Sequence, residues 1–312
     1  MDDHIKVIKR KKFTFGKLWP YLLCLPFIIA YLVFNLFPTA YSLYISFFNW
    51  NGISEKVFVG IQNYKELLTK DVLFYKSVYN TIMMMVISIP GQIILGLLLA
   101  QFVFSLSRSK RVYETVIFLP YIISPVICGI IFIYLFDWHT GYVNDILSKL
   151  GFYAETYWLQ NASLSKVIIA VMNIWRQTGY CMVIYLAAMT SVSQDIIEAS
   201  KIDGANSVQT FLHVTVPQLN NISIFLILTS IINGLQMFEM PKLLYGGTGM
   251  QLGSVGGPKS SALTIIWKFY DNAFGSGLRI GYGAAISYVL FIIIIIFTLG
   301  SSMFKRKKGE RE

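Results

Sequence analysis

Long apolar runs separated by polar loops dominate the pattern of this chain. They are Leu18–Phe48, Ser77–Ser107, Thr115–Phe136, Val167–Gln194, Val214–Phe238 and Ile280–Phe304. A helix needs about 20 predominantly apolar residues to cross the hydrocarbon core of a bilayer, and each run reaches that length. The pattern therefore predicts an all-α integral membrane protein with six transmembrane helices. Pro120 with Pro125 can kink the third of them, and Pro90 the second.

Composition agrees with a membrane protein. Hydrophobic residues make up 55% of the chain, charged residues 13%, and the mean hydropathy is +0.59, whereas a soluble domain carries about 25% charged residues. The three cysteines lie in apolar runs, and their odd number and spacing predict neither a disulfide framework nor a metal site. The first apolar run exceeds the roughly 7–15 residues of a signal-peptide core, so we expect it to be retained.

The distribution of basic residues predicts the orientation. Lys and Arg are concentrated in an N-terminal tail (residues 1–17), in a C-terminal tail (residues 305–312) and beside the second and third helices. Basic residues near helix ends favour the cytoplasmic side, so both termini are expected there, with residues 18–304 as the transmembrane domain. The net charge of +10 is then explained by topology and anionic lipid, and no nucleic-acid surface is predicted.

This topology places residues 191–217, between the fourth and fifth helices, in the cytoplasm. Ser193 can cap a first short helix, and Gly204 can adopt the left-handed conformation that ends it. Asn206 and Gln209 have the spacing of a capping pair that opens a second helix. The segment therefore predicts a bent helix pair, which is either a docking surface for a partner or a pair lying on lipid headgroups.

The same segment resembles the "EAA" loop of the carbohydrate-uptake class of ABC-transporter permeases, the group of the maltose, lactose and glycerol-phosphate permeases. The positions that carry the resemblance are Glu198, Ala199, Ser200, Asp203, Gly204, Ala205, Phe211, Val214 and Pro217. Ser200 stands where this family usually has alanine. Other matching stretches are Phe58–Tyr64, Asn80-Thr81, Phe118–Pro120 with Ser124, Gly141 with Asn144, Trp158-Leu159, Trp175 with Gly179, and Ala273-Phe274 with Gly281–Ala285. The family's compact Gly-Gly-Gly-Pro turn is split here between Gly246 and Pro258, so an enlarged outer loop is expected.

The resemblance implies a permease subunit of an ATP-driven importer in the plasma membrane of a prokaryote. With a second permease it would form the path of a sugar or oligosaccharide. Two separate ATPase subunits would bind ATP and Mg, and an extracytoplasmic solute-binding protein would deliver the cargo. The bent pair would couple to the ATPase, with Glu198 as the charged contact and Gly204 as the elbow. Asp203 is expected to satisfy backbone N–H groups at the turn.

Polar residues inside the fourth and fifth helices are candidates for the substrate path, because burying such residues in lipid is costly. The candidates, with one aromatic neighbour, are Asn173, Arg176, Gln177, Asn233, Gln236, Phe238 and Glu239. Helical spacing places Asn173, Arg176 and Gln177 on one face of the fourth helix, and Asn233, Gln236 and Glu239 on one face of the fifth. Amides, a carboxylate and an aromatic ring suit a saccharide. Alternatively, Arg176 and Glu239 form an interhelical ion pair while the amides hold helices together.

Other function classes find less support. The chain has no phosphate loop and no recognisable catalytic triad, and its three histidines are scattered, so neither an enzyme, a metal site nor a cofactor bound by this chain is predicted. An ion-coupled secondary transporter is the alternative. It should show inverted repeats and broken helices around buried carboxylates, for which only Glu239 is a candidate. A membrane-embedded enzyme or scaffold would need a reactive cluster.

The apolar stripe at Val143, Ile146, Leu147 and Leu150 predicts a short helix on the outer membrane surface.

Overall fold

The computed structural model describes residues 19–106, 108–152, 156–246, 255–275 and 277–309. These residues are almost entirely helical. The helices are α1 (Trp19–Tyr31), α2 (Phe37–Ile45), α3 (Gln62–Thr69), α4 (Val72–Ser105), α5 (Lys110–Ile122), α6 (Pro125–Leu135), α7 (Tyr142–Lys149), α8 (Ala162–Met189), α9 (Gln194–Ile202), α10 (Ser207–Thr210), α11 (Val216–Gln218), α12 (Asn220–Leu235), α13 (Glu239–Tyr245), α14 (Ile265–Phe274) and α15 (Ile280–Gly309). Two-residue strands β1 (Phe48–Asn49) and β2 (Val57–Phe58) pair antiparallel, and a 3₁₀ turn covers Pro258–Ser260.

The described part of the chain holds four helices long and apolar enough to cross a membrane, or up to six when bent pairs are included. The four are Tyr21–Ile45, which joins α1 to α2 through a π-helical turn (Leu32–Leu36), then α4, α8 and the apolar part of α15. The bent pairs are α5 with α6, at 93°, and Ser207–Gln218 with α12, at 66°. The prediction of six spans therefore holds only if each bent pair counts as one span.

The third span breaks between α5 and α6. Ser124 has an extended backbone, its hydroxyl accepts the Val126 N–H at 3.4 Å, and Pro125 is the first residue of α6. A residue before proline disfavours the helical conformation, so the helix ends there and a new one begins. The predicted kink is thus a complete break. In contrast, α4 continues through Pro90 as one helix.

The fifth span is also interrupted. A π-helical turn (Phe211–Thr215) precedes α11, and Leu219 separates α11 from α12. At the other end, α12 stops at Leu235, and Gln236–Phe238 lead into the separate helix α13. The division at Leu219 falls close to residue 217, where the predicted bent pair ends. The expectation that the fifth helix runs on to Phe238 is wrong, because α12 ends before Gln236.

The long helices α4 and α8 pack together over most of their length. Glycines allow this close approach. A Cβ added to Gly96 would lie 2.5 Å from the Cβ of Cys181, and a Cβ added to Gly179 would lie 2.4 Å from the Ile117 carbonyl oxygen of α5. The buried side chains around these crossings form the core that holds α4, α5, α8 and α12 in place.

Polar side chains fasten the loops at the predicted outer end of the helices. The Asn63 amide donates to the carbonyl oxygens of Ser46 and Phe48, at 2.8 and 3.0 Å. The Asn80 amide donates to those of Ser260 and Leu263, at 2.8 and 3.1 Å. Both asparagines belong to the stretches that carried the family resemblance, and their bonds explain why an amide is needed there. Most of the loop in which the split Gly-Pro turn was noted (residues 247–254) lies outside the described residues.

The connection between α6 and α8 contains the predicted short helix. α7 covers Tyr142–Lys149 and thus confirms the helical pattern. The Asn144 side chain accepts a hydrogen bond from Trp158 Nε1 at 2.6 Å and donates to the Trp138 carbonyl oxygen at 3.0 Å. These bonds tie α7 to the segment that enters α8.

Replacing Gly179 with alanine is expected to destabilise the protein by about 1–3 kcal/mol, because the new methyl group would collide with backbone of α5 that cannot rotate away. Thermal unfolding of the detergent-solubilised protein measures the effect. Gly300→Ala is the matched control, since that position in α15 has nothing within 4 Å of the added Cβ. It should be neutral or slightly stabilising. Equal stability of both variants would contradict the close α5–α8 crossing.

Candidate functional site

A cavity of about 550 Å³ lies between α4, α5, α8, α12, α13 and α14. All the candidate path residues named from the sequence line it: Asn173, Arg176, Gln177, Asn233, Gln236, Phe238 and Glu239. The structure therefore brings the polar residues of the fourth and fifth spans to one place.

Three different elements present these residues. Asn173, Arg176 and Gln177 project from one face of α8, as the helical spacing predicted. Asn233 lies near the end of α12, whereas Gln236 and Phe238 belong to the break and Glu239 begins α13. The prediction that Asn233, Gln236 and Glu239 share a face of one continuous helix is wrong, because the helix ends at Leu235. The break itself turns them toward the cavity.

Sequence reasoning missed other polar groups of the lining. Gln92 comes from α4, Tyr121 from α5 and Ser230 from α12. Gln92 Nε2 donates to Ser230 Oγ at 2.8 Å and so joins two walls. Gln92 and Tyr121 are polar residues within apolar runs. That alone could have marked them as candidates for the substrate path, because polar residues inside a membrane span are costly.

Several polar atoms of this lining have no partner among the described residues. They are Arg176 Nε and the side-chain oxygens of Gln92 and Gln177, all of them buried. Buried polar groups are normally hydrogen-bonded, and an unmade bond costs about 1–3 kcal/mol. These atoms belong to residues that line the cavity but have almost no accessible surface themselves, so their side chains would have to turn before water or a ligand could bond to them.

The predicted ion pair between Arg176 and Glu239 is not formed. Within the described ranges, the ion pairs shorter than 4.0 Å are Lys149–Asp145, Lys268–Asp71 and Arg279–Glu66. Arg176 instead lies over the ring of Tyr121, with 5.8 Å between the guanidinium carbon and the ring centroid. The two charges stand on separate walls, because Arg176 comes from the middle of α8 and Glu239 from the start of α13.

Phe238 is held by aromatic and cationic neighbours. Its ring centroid lies 5.1 Å from that of Tyr270. The Lys242 ammonium is 5.0 Å from the Phe238 centroid and 3.4 Å from the Tyr270 centroid. Such cation–π contacts fix the ring, so Phe238 presents a preset aromatic edge to the cavity.

The second candidate region is the bent pair formed by α9 and α10. Gly204 has φ +84°, as predicted. The Ala205 N–H donates to the Ser200 carbonyl oxygen at 3.0 Å, and the Gly204 N–H to that of Lys201 at 3.1 Å. This is the Schellman arrangement, which ends a helix at a left-handed residue. The elbow is therefore built by the backbone.

The start of α10 is also confirmed. The Gln209 N–H donates to Asn206 Oδ1 at 2.9 Å, and the Asn206 N–H donates to Gln209 Oε1 at 2.8 Å, which is a capping box. Two details are wrong. Ser193 precedes α9 but its hydroxyl caps no N–H group. The Asp203 carboxylate makes no hydrogen bond to the turn within the described residues, although its own N–H donates to Ala199.

At its base, the two helices of the bent pair contact each other and α8, whereas the residues around the elbow are exposed. Ser200 Oγ lies 3.1 Å from Thr210 Oγ1, a link between the two helices that alanine could not make. Phe211 is buried with Tyr185 and Met189 of α8. Glu198, Ala199 and Pro217 are exposed and Ala205 is partly buried. Beside the elbow, Ile202 is 86% exposed. An apolar side chain so placed is stabilised when another surface covers it.

Metal-binding clusters were also sought. Among the residues that the structure describes, no three His, Cys, Asp or Glu side chains are grouped so as to hold a metal ion.

Comparisons with known proteins place this geometry in a family context. A family model described as "binding-protein-dependent transport system inner membrane component" matches residues 92–306. The arabinooligosaccharides transport system permease protein AraP of Bacillus subtilis is 32% identical over 93% of this chain and 89% of its own length. The sn-glycerol-3-phosphate transport system permease protein UgpA of Yersinia pestis is 30% identical over 93% of this chain and 94% of its own.

Solved structures share the fold. A chain of a bacterial ABC transporter involved in the import of the acidic polysaccharide alginate superposes with a TM-score of 0.79 at 23% identity. The match covers 94% of this chain and 96% of the other. A second structure of such a transporter, in complex with an alginate pentasaccharide-bound periplasmic protein, matches equally well.

Proposed function

Because this chain belongs to the family of binding-protein-dependent transport system inner membrane components, we propose that it is the permease subunit of an ATP-driven importer of a sugar or oligosaccharide. The observation that carries the proposal is the polar cavity, which gathers amides, an arginine, a carboxylate and an aromatic edge inside the helical domain. Saccharide hydroxyls would bond to the exposed amides of Asn233 and Gln236. The names of the relatives, which concern arabinooligosaccharides and glycerol 3-phosphate, support this class of cargo.

The partners follow from the family. The cargo path would form between this chain and a second permease, and a solute-binding protein would deliver the cargo from outside. The periplasmic protein bound to a structural relative supports that partner. Two separate ATPase subunits would hold ATP and Mg. In this arrangement the chain is a multi-pass protein of a prokaryotic plasma membrane, with both termini and the bent pair in the cytoplasm.

α8 would connect the bent pair with the cavity. Its end at Met189 packs with Phe211 at the base of the bent pair, and its middle carries Arg176 into the cavity. At 1.5 Å per residue, these points lie about 20 Å apart along one helix. Motion can be passed on by a rigid element with two positions. An ATPase that seats Glu198 and the elbow would thus move the cavity wall through α8.

An ion-coupled transporter is less well supported. The break at Gln236–Phe238 is a feature of such proteins. However, the family match covers most of the chain, and among the described residues that line the cavity only Glu239 is acidic. A broken helix also serves a permease, because irregular backbone is tolerated where it lines a cavity.

Purification from native membranes and reconstitution test the proposal. We expect a second permease and an ATPase to co-purify with this chain. Liposomes that contain the complex and its binding protein should accumulate labelled saccharide only when ATP is supplied. Uptake by this chain alone, driven by an ion gradient without ATP, would refute the proposal.

A further inference from the structure

Among the residues that the structure describes, none provides a counter-charge for Arg176. It makes no ion pair and no hydrogen bond within the described residues, and its Nε is buried and unpartnered. Its guanidinium lies over the Tyr121 ring. A charge inside a membrane domain is costly and is normally paired or turned toward a water-filled cavity. Arg176 lines such a cavity, where an anion that entered could pair with its guanidinium.

The surroundings of Arg176 suit an oxyanion. Asn173 precedes it by one helical turn, Gln177 follows it, and all three line the cavity, so amide N–H groups stand beside the guanidinium. Arginine presents several N–H donors in a planar fork that fits a carboxylate or phosphate. Tyr121 supports the guanidinium from one side. This wall of the cavity therefore offers donors.

The negative charge of the cavity lining belongs to a different element from Arg176. Glu239 is exposed, begins α13, and makes no ion pair within 4.0 Å of Arg176. Its carboxylate would accept hydrogen bonds from hydroxyl groups and would repel a second anion. The lining is thus polarised, with a place for negative charge at Arg176 and a place for neutral hydroxyls at Glu239.

We propose that Arg176 binds a carboxylate or phosphate of the cargo, so that this cavity takes an anionic saccharide in preference to a neutral one. This inference rests on the proposed function, because it assigns a cargo to the same cavity. Asn173 and Gln177 are positioned to share the oxyanion through their amide groups, while the sugar hydroxyls face Gln236 and Glu239.

A pair of matched probes tests the inference. Trigalacturonic acid and its fully methyl-esterified form have the same sugar backbone but differ in charge. Calorimetric titration of each into the complete importer, held in lipid nanodiscs without its binding protein, gives two dissociation constants. We expect the wild-type complex to bind the acid at least about tenfold more tightly than the ester, because a hydrogen bond to a charged group contributes about that much affinity. Arg176→Gln should abolish this preference, and Arg176→Lys should keep part of it.

The control is Arg111→Gln, which removes an exposed arginine at the start of α5. It should keep the preference. The inference is overturned if the wild-type complex shows no preference, or if Arg176→Gln retains it. It is also overturned if Arg176→Gln releases the second permease during purification, because the counter-charge then belongs to that subunit. An importer that moves only neutral saccharides with ATP would keep the proposed function and refute this inference alone.

Discussion

Gly204→Pro is expected to abolish ATP-dependent saccharide uptake while the protein remains in the membrane. Gly204 has φ +84°, and proline is restricted to about −65°, so the elbow cannot keep its shape. Proline also removes the N–H group that binds the Lys201 carbonyl oxygen. A Cβ at this position would meet nothing within 4 Å, so the expected effect comes from the backbone and not from a collision.

Gly151→Pro is the matched control. Gly151 also ends a short helix, has φ +87° with open space around it, and donates its N–H to the Ser148 carbonyl oxygen. It follows α7, on the predicted outer side. If the bent pair couples the subunit to the ATPase, uptake should survive Gly151→Pro and fail with Gly204→Pro. Equal uptake by both variants would contradict the coupling role of the elbow.

Reversing the charge of Glu198 examines the same surface without disturbing the fold. Its side chain is exposed and makes no ion pair in the described part of the chain, so Glu198→Lys should unfold at the same temperature as the wild type. Uptake and saccharide-stimulated ATP hydrolysis should nevertheless be lost. Asp195→Lys makes the same change on an exposed residue one turn earlier and should retain most of the uptake.

Asp71→Ala is expected to lower the free energy of unfolding by about 3–5 kcal/mol, the cost of leaving one partner of a buried ion pair alone. Asp71 Oδ2 lies 2.9 Å from Lys268 Nζ and accepts the Tyr282 hydroxyl at 2.6 Å. Its Oδ1 accepts the Phe74 N–H at 3.0 Å and caps α4. The Lys268 and Asp71 side chains are only 11% and 13% exposed. One carboxylate thus joins α4, α14 and α15.

Thermal unfolding in detergent measures this loss, with Asp145→Ala as the control. Asp145 pairs with Lys149 on the surface of α7, where both side chains are more than half exposed, so its loss should cost about 0.5 kcal/mol or less. A similar cost for both variants would contradict the buried junction.

The stabilisation by Asp71 should also depend on pH. Burial raises the pKa of Asp71, but hydrogen bonds from Tyr282 and Lys268 outweigh burial and hold that pKa below its usual value. A carboxyl group whose pKa is lower in the folded state stabilises the protein above its unfolded pKa, about 3.9, and loses this effect as the pH falls through the folded pKa. The difference between wild type and Asp71→Ala should therefore be full at neutral pH and shrink in strong acid.

The sequence by itself determined the features that depend on neighbours along the chain. Apolar run lengths identified the membrane segments, because the bilayer sets the length that a helix must reach. The capping box at Asn206 and the left-handed Gly204 were readable, since both involve contacts within four residues. The face shared by Asn173, Arg176 and Gln177 followed from the helical repeat alone.

Only the tertiary structure decided where these segments meet. The break at Gln236–Phe238 is flanked by Gly234 and Pro241, which permit an interruption, but the direction that α13 then takes is set by its packing against α6 and α8. The same packing separates Arg176 from Glu239, which the sequence allowed to pair. Gln92 and Tyr121 joined the cavity because of how α4 and α5 cross α8. Crossing positions depend on contacts between residues far apart in the chain, which no local pattern records.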